Sequence, residues 1–158
     1  RPLIVFTPKG LLRHPVCTSP LEDFTSGSFQ EIIADDLPAD GIKRVLLCSG
    51  KVYYDLLKER TEKKRTDVAL IRIEQLYPLH LERLHRILSG YAEDVEYFWV
   101  QEEAANGGAW RHLRLLLTVL LDREPLYIGR KPSASTAVGS HRLHQQEQQQ
   151  IITQAFAE

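Results

Sequence analysis

The chain has no methionine, and its only two cysteines are Cys17 and Cys48. Beginning at Arg1 without a methionine, it reads as a fragment or a trimmed chain, not a whole gene product. Two cysteines cannot make a disulfide scaffold. A chain of 158 residues, 43% of them hydrophobic, can build a core without one. Cys48 ends the apolar run 45–48 and reads as a buried small hydrophobe. A bond between Cys17 and Cys48 is the alternative to the reading adopted, two free thiols in a reduced intracellular chain. Neither sign of charge is in excess: 20 Lys and Arg stand against 21 Asp and Glu, for a net charge of -1. That balance argues against a nucleic-acid binder, which usually carries a basic excess on one face. No signal peptide is visible, and no apolar run nears the roughly 20 residues of a membrane helix. Neither nucleic acid nor a membrane is therefore expected as a partner.

Catalytic signatures are missing too. No Gly-x-Gly-x-x-Gly or phosphate-loop pattern occurs, and Gly107-Gly108 is no dinucleotide fingerprint. Ser49 lacks a Gly-x-Ser-x-Gly elbow and an adjacent histidine, so it reads as a helix cap and not a nucleophile. His141 and His144 share helical spacing without a third metal ligand, and no metal site is expected.

What is present is a rhythm. Residues 44–49, 68–73, 95–100 and 126–128 are short apolar runs bounded by turn signals, as in strands buried on both faces. Between them lie helical stripes. Tyr53, Leu56, Leu57 and Arg60 form one; Leu81, Leu84, Leu88 and Tyr91 form the next. Trp110, Leu113, Leu117 and Leu120 belong to a third that is apolar over much of its circumference. A last helix is expected over about 142–157. Strand–helix alternation predicts an α/β three-layer sandwich, a mainly parallel sheet with helices on both faces. Residues 1–42 read differently, as a strand at 3–6 and a linker arriving from a preceding domain, so the α/β domain is assigned to 43–158.

In a parallel sheet the strands' carboxyl ends share one edge, where ligands usually bind. Those ends gather Lys51, Glu74, Glu102, Glu103 and Arg130. One reading is an anion or nucleotide site using Lys51 and Arg130, with Ser133 and Ser135 in the small-residue loop 129–139. The other, which is preferred, is an ion-paired rim of Glu74, Glu102, Glu103 and Trp110 facing a neighbouring domain or subunit. Glu102 and Glu103 are adjacent, so an extended backbone turns them apart and they make a poor acid–base pair.

Six ordered blocks then carry a resemblance: LIVFTPKGLLRHP (3–15), CSGKVYYDLLKER (48–60), RIEQLYPL (72–79), WVQEEAANGGAW (99–110), YIGRKPSASTAVG (127–139) and HQQEQQQ (144–150). Together they resemble the carboxy-terminal, transketolase-like domain of 2-oxoglutarate dehydrogenase decarboxylating components. Gly10 stands where that family usually has serine, and Gly107 where it usually has glutamine. The resemblance implies a parent enzyme that decarboxylates 2-oxoglutarate on thiamine diphosphate and magnesium in the tricarboxylic acid cycle. It implies a homodimer that passes the succinyl group to the lipoyl arm of a dihydrolipoyl succinyltransferase, with the preceding domains of the same chain as further partners. The Gly-Asp-Gly…Asn pattern that holds metal and diphosphate is absent here, so no cofactor and no catalytic residue is assigned to this chain. An assembly or regulatory role follows, with effector binding (AMP or an acyl-CoA), or the same domain of a 2-oxoadipate enzyme, as the alternatives. The resemblance places the parent in the cytoplasm of a bacterium or the mitochondrial matrix of a eukaryote.

Overall fold

A computed structural model describes residues 2–157. Contacts divide the chain into two compact units, 1–30 and 31–158.

The first unit holds a short 3-10 turn at Lys9–Leu11 and one helix, α1 (Leu21–Ser26). None of its described residues is buried. The strand expected at 3–6 does not form there. No described strand pairs with it, so the backbone has no ladder to join.

The second unit is the α/β sandwich. Its elements run β1 (Ile32–Ile33), β2 (Arg44–Cys48), α2 (Val52–Glu62), β3 (Val68–Ile73), α3 (Leu81–Leu88), β4 (Glu96–Ala104), α4 (Trp110–Leu121), β5 (Leu126–Arg130) and α5 (His141–Ala155). The strand order is β1-β3-β2-β4-β5. All pairs are parallel except β1 with β3. Residues 31–42, read from sequence as linker, thus lie inside the sandwich. Ile32 is fully buried opposite Ile73 as an antiparallel edge strand, a pairing two residues long that leaves almost no period to detect.

Period-2 alternation sorts the strands' side chains into two cores. Val45, Leu47, Ala69, Ile71, Tyr97 and Trp99 pack with Leu84, Leu88, Leu113 and Leu117, so α3 and α4 cover one face. Leu46, Cys48, Leu70, Phe98, Val100 and Ile128 pack with Val52, Leu56, Ile151 and Ile152, so α2 and α5 cover the other. Parallel strands buried on both sides are what continuous apolar runs demand.

β4 runs four residues past the stretch expected from sequence, and its register against β5 shifts between Val100 and Ala104. The shift bends the strand as a bulge does. Gln101, Glu102 and Glu103 therefore stand on the strand and not beyond its end.

Candidate functional site

At the carboxyl edge, strands diverge from β2 toward β3 on one side and β4 on the other. The switch point between β2 and β4 is the usual ligand crevice of such sheets. Here it is filled by an ion pair. Lys51, at the start of α2, places Nζ 2.6 Å from Glu102 Oε1 and 3.5 Å from Asp55 Oδ2. Burial pulls the Lys51 ammonium down, but the bond and charge of Glu102, with Asp55, outweigh it and the net shift is upward. The lysine is held charged and occupied. Asp55 also accepts from Gln148 Nε2 at 2.9 Å, which ties α2 to α5. The cap expected from Ser49 is not made: α2 starts at Val52, its N-cap is Lys51, and no side chain caps it, since the turn is set by Gly50 at φ +73°.

Arg130 belongs to a second network. Its side chain is 13% exposed, with Nε 3.0 Å from Glu147 Oε2. That contact is charge against charge and not an aligned hydrogen bond, since neither atom has a hydrogen-bond partner. Arg130 Nη2 instead lies 2.7 Å from His144 Nδ1. For that bond the guanidinium donates and Nδ1 of the imidazole accepts.

Beside Arg130 opens a cleft of about 640 Å³ between the loop after β5 and α5. Arg130, Lys131, Ser133, Ser135, Thr136 and Glu147 line its polar part, and Val138, Leu143 and Ile151 line its apolar part. The loop is shaped internally. Asn106 donates Nδ2 to Ser133 O at 2.8 Å and accepts from Ser133 N at 2.9 Å. Ser135 N donates to Ser133 Oγ at 3.2 Å, and Ser135 Oγ donates to Ala137 O at 2.7 Å. Loop entry depends on Gly129, where a Cβ would collide with the Tyr127 hydroxyl and come within 3.0 Å of Gln101 O.

The residues singled out from sequence thus fall into separate groups. Lys51 and Glu102 meet; Arg130, Ser133 and Ser135 share the cleft; Lys51 does not line it. Glu74 pairs with Arg72 at 3.1 Å on β3. Glu103 is exposed, whereas Glu102 is half-buried. Trp110 is half-buried against the α3–α4 core, its ring 5.1 Å from that of Tyr127, so it supports the fold more than it lines a rim.

The sequence reading missed the organiser of this edge, Gln101. Its side chain is buried, and Oε1 accepts from Trp99 Nε1 at 2.8 Å and from Trp110 N at 3.0 Å. Nε2 faces the carbonyls of Glu103, Ala104 and Gly107 at 3.1–3.2 Å. One amide thereby closes the turn from β4 into α4. Period 2 carries the clue, because Tyr97, Trp99 and Gln101 share a strand face. His144 and Glu147 were also missed as partners of Arg130; their helical spacing of three was the available signal. Among the described residues, no three His, Cys, Asp or Glu side chains converge as a metal site would need. No helix among them is long and apolar enough to cross a membrane.

The site therefore sits on a doubly wound α/β domain with an ion-paired switch point and an open, partly basic cleft beside Arg130. The chain belongs to the family described as 2-oxoglutarate dehydrogenase C-terminal, whose pattern it matches over residues 18–156. It is 44% identical to the 2-oxoglutarate dehydrogenase E1 component of Haemophilus influenzae, over 99% of this chain and 17% of that protein. Against the oxoglutarate dehydrogenase of Buchnera aphidicola the figures are 40%, 99% and 18%. The E1 component of Cupriavidus necator gives 42%, 99% and 17%. The chain therefore spans less than a fifth of the length of these relatives. A solved chain, titled a split gene transketolase in an inactive beta4 tetramer, shares the fold with TM-score 0.51 and 12% identity, covering 74% of this chain and 39% of that one.

Proposed function

We propose that this chain serves as the carboxy-terminal assembly and regulatory domain of a thiamine-diphosphate-dependent 2-oxoglutarate dehydrogenase E1 enzyme. In this reading the parent decarboxylates 2-oxoglutarate and delivers the succinyl group to a lipoyl-bearing succinyltransferase, working as a homodimer. One observation carries it: 40–44% identity over 99% of the chain to E1 and oxoglutarate dehydrogenase proteins more than five times its length.

In this reading the parent's cofactor is held outside this chain. Thiamine diphosphate is held through a divalent cation on oxygen ligands, and the described residues bring no such group together. Lys51 and Arg130 each sit in an ion pair, with Glu102 and Glu147. No catalytic step is therefore assigned to this chain. The test is turnover and thiamine diphosphate binding by the purified chain beside the full-length parent. The parent is expected to show both and the chain neither; measurable decarboxylation by the chain alone overturns the reading.

The cleft favours a second role inside the same enzyme, capture of a phosphate-bearing effector such as AMP or acetyl-CoA. Arg130 and Lys131 supply charge, three hydroxyl side chains supply donors, and Val138, Leu143 and Ile151 supply an apolar wall. Calorimetry on the full-length enzyme decides it. Arg130→Ala is expected to abolish the heat of binding, while Lys51→Ala, outside the cleft, leaves it unchanged. Absence of heat in the unmodified enzyme at millimolar ligand ends this role.

A further inference from the structure

We infer that residues 3–29 are a strap that seats in an apolar cleft on the part of the parent enzyme preceding this chain. The inference rests on the assignment to a longer E1 enzyme and adds to it a contact surface and its occupant.

None of the described residues before Glu31 is buried. Yet nine of the large exposed hydrophobic side chains lie in this stretch, among them Leu3 at 87%, Phe6 at 96%, Leu21 at 74% and Phe24 at 78% exposure. Single exposed hydrophobics are ordinary, but such a density in 27 residues marks an interaction surface. The arrangement says what kind. Leu3, Ile4, Val5 and Phe6 are consecutive, and no regular backbone points four consecutive side chains the same way. Covering all four takes walls on both sides, hence a cleft and not a flat face. Further on, Leu21 and Phe24 are three apart on α1 and share one helix face.

The strap is also partly set before it docks. Pro8 and Pro20 hold φ at -62° and -63°, which removes backbone freedom that docking would otherwise have to freeze. The occupant follows from length. The relatives align with this stretch, since 99% of the chain is covered; they contain more than five times as much polypeptide, and the matching family is described as C-terminal, which sets the remainder ahead of this stretch.

Hydrogen exchange of the full-length parent, read by mass spectrometry over peptides within 3–29, tests the strap. Amides there are expected to exchange at least about 100-fold more slowly than in the 158-residue chain alone. Phe6→Asp combined with Phe24→Asp should abolish that protection in the parent while peptides of β2 remain protected, which shows that the sandwich still folds. Equal exchange in the two proteins overturns the strap. So does protection of the isolated chain that rises with its own concentration, the mark of a second copy, or with added phosphatidylglycerol vesicles, the mark of a lipid surface. A gene coding for no upstream residues would instead end the assignment to a longer enzyme; fast exchange in a longer, active enzyme would end the strap alone.

Discussion

Gln101 shows what one buried amide can fix. It has acceptor and donor atoms aimed at five groups across the β4–α4 turn, the bond to Trp99 fully buried and the others partly so. Gly108 closes the same turn at φ +59°, with space for a Cβ blocked at 2.9 Å by the Gln101 amide. Replacing Gln101 by alanine strands the Trp99 indole N–H and the Trp110 N–H. Each unsatisfied buried group costs about 1–3 kcal/mol, so Gln101→Ala should lower unfolding free energy by roughly 3 kcal/mol in urea titration. A loss under about 0.5 kcal/mol, the size of an ordinary surface change, would mean the turn is held otherwise. Cys48 gives a pH prediction. Burial pushes its thiol up from about 9 to about 12, against a smaller lowering by Arg72. The folded state holds that proton more tightly than the unfolded chain. Its contribution is intact below pH 9 and fades as pH rises toward 12. Between about pH 8 and about pH 10 the chain should lose about 1 kcal/mol that Cys48→Ala does not lose. Parallel pH dependence in the two proteins would refute the assignment.

Among the elements, α5 depends on side chains from the opposite ends of the strands. Arg44 at the start of β2 donates Nη1 to Ala155 O at 3.2 Å and to Ala157 O at 2.6 Å, serving carbonyls that the helix end leaves open. Arg65 Nη1 adds a bond to Phe156 O at 3.1 Å. Arg44→Leu should therefore speed amide exchange across 151–157 by about tenfold, about 1.4 kcal/mol of local opening, while β3 is unaffected. Uniform acceleration throughout the sheet would point to a global loss instead. The same elements show what could be read in advance. Four parallel strands were legible because a strand buried on both faces is an unbroken apolar run, and α2 to α5 because their stripes keep helical spacing. β1 escaped, since two residues carry no period and their meaning lies in the distant Ile73. Arg130 was legible by position at a strand end. Its partners His144 and Glu147 showed only that they share a helix face, since the fold alone brings β5 against α5.

At the scale of the whole molecule, the question is where the sandwich begins. Among the described residues, every buried hydrophobic lies at Ile32 or later. Between 31 and 42, by contrast, Ile32 is fully buried and Ile42 is 4% exposed. Asp35, with its side chain 2% exposed, meets Arg60 on α2 and accepts from Leu70 N on β3. This short segment carries a buried carboxylate whose partners are a helix and a strand of the sandwich. Removing residues 1–30 should change the unfolding free energy of the remainder by no more than about 0.5 kcal/mol, the range of surface changes. Removing 1–42 instead strips two core isoleucines, worth about 1.5–3 kcal/mol each, and leaves Arg60 without its carboxylate, worth about 3–5 kcal/mol more. That sum takes up much of the roughly 5–15 kcal/mol a domain of this kind has, so the shorter fragment should be largely unfolded by circular dichroism at room temperature. Asp35→Ala in the full chain separates the two contributions. It should cost roughly 3 kcal/mol if the carboxylate anchors the segment, and leave stability unchanged if the isoleucines alone do so.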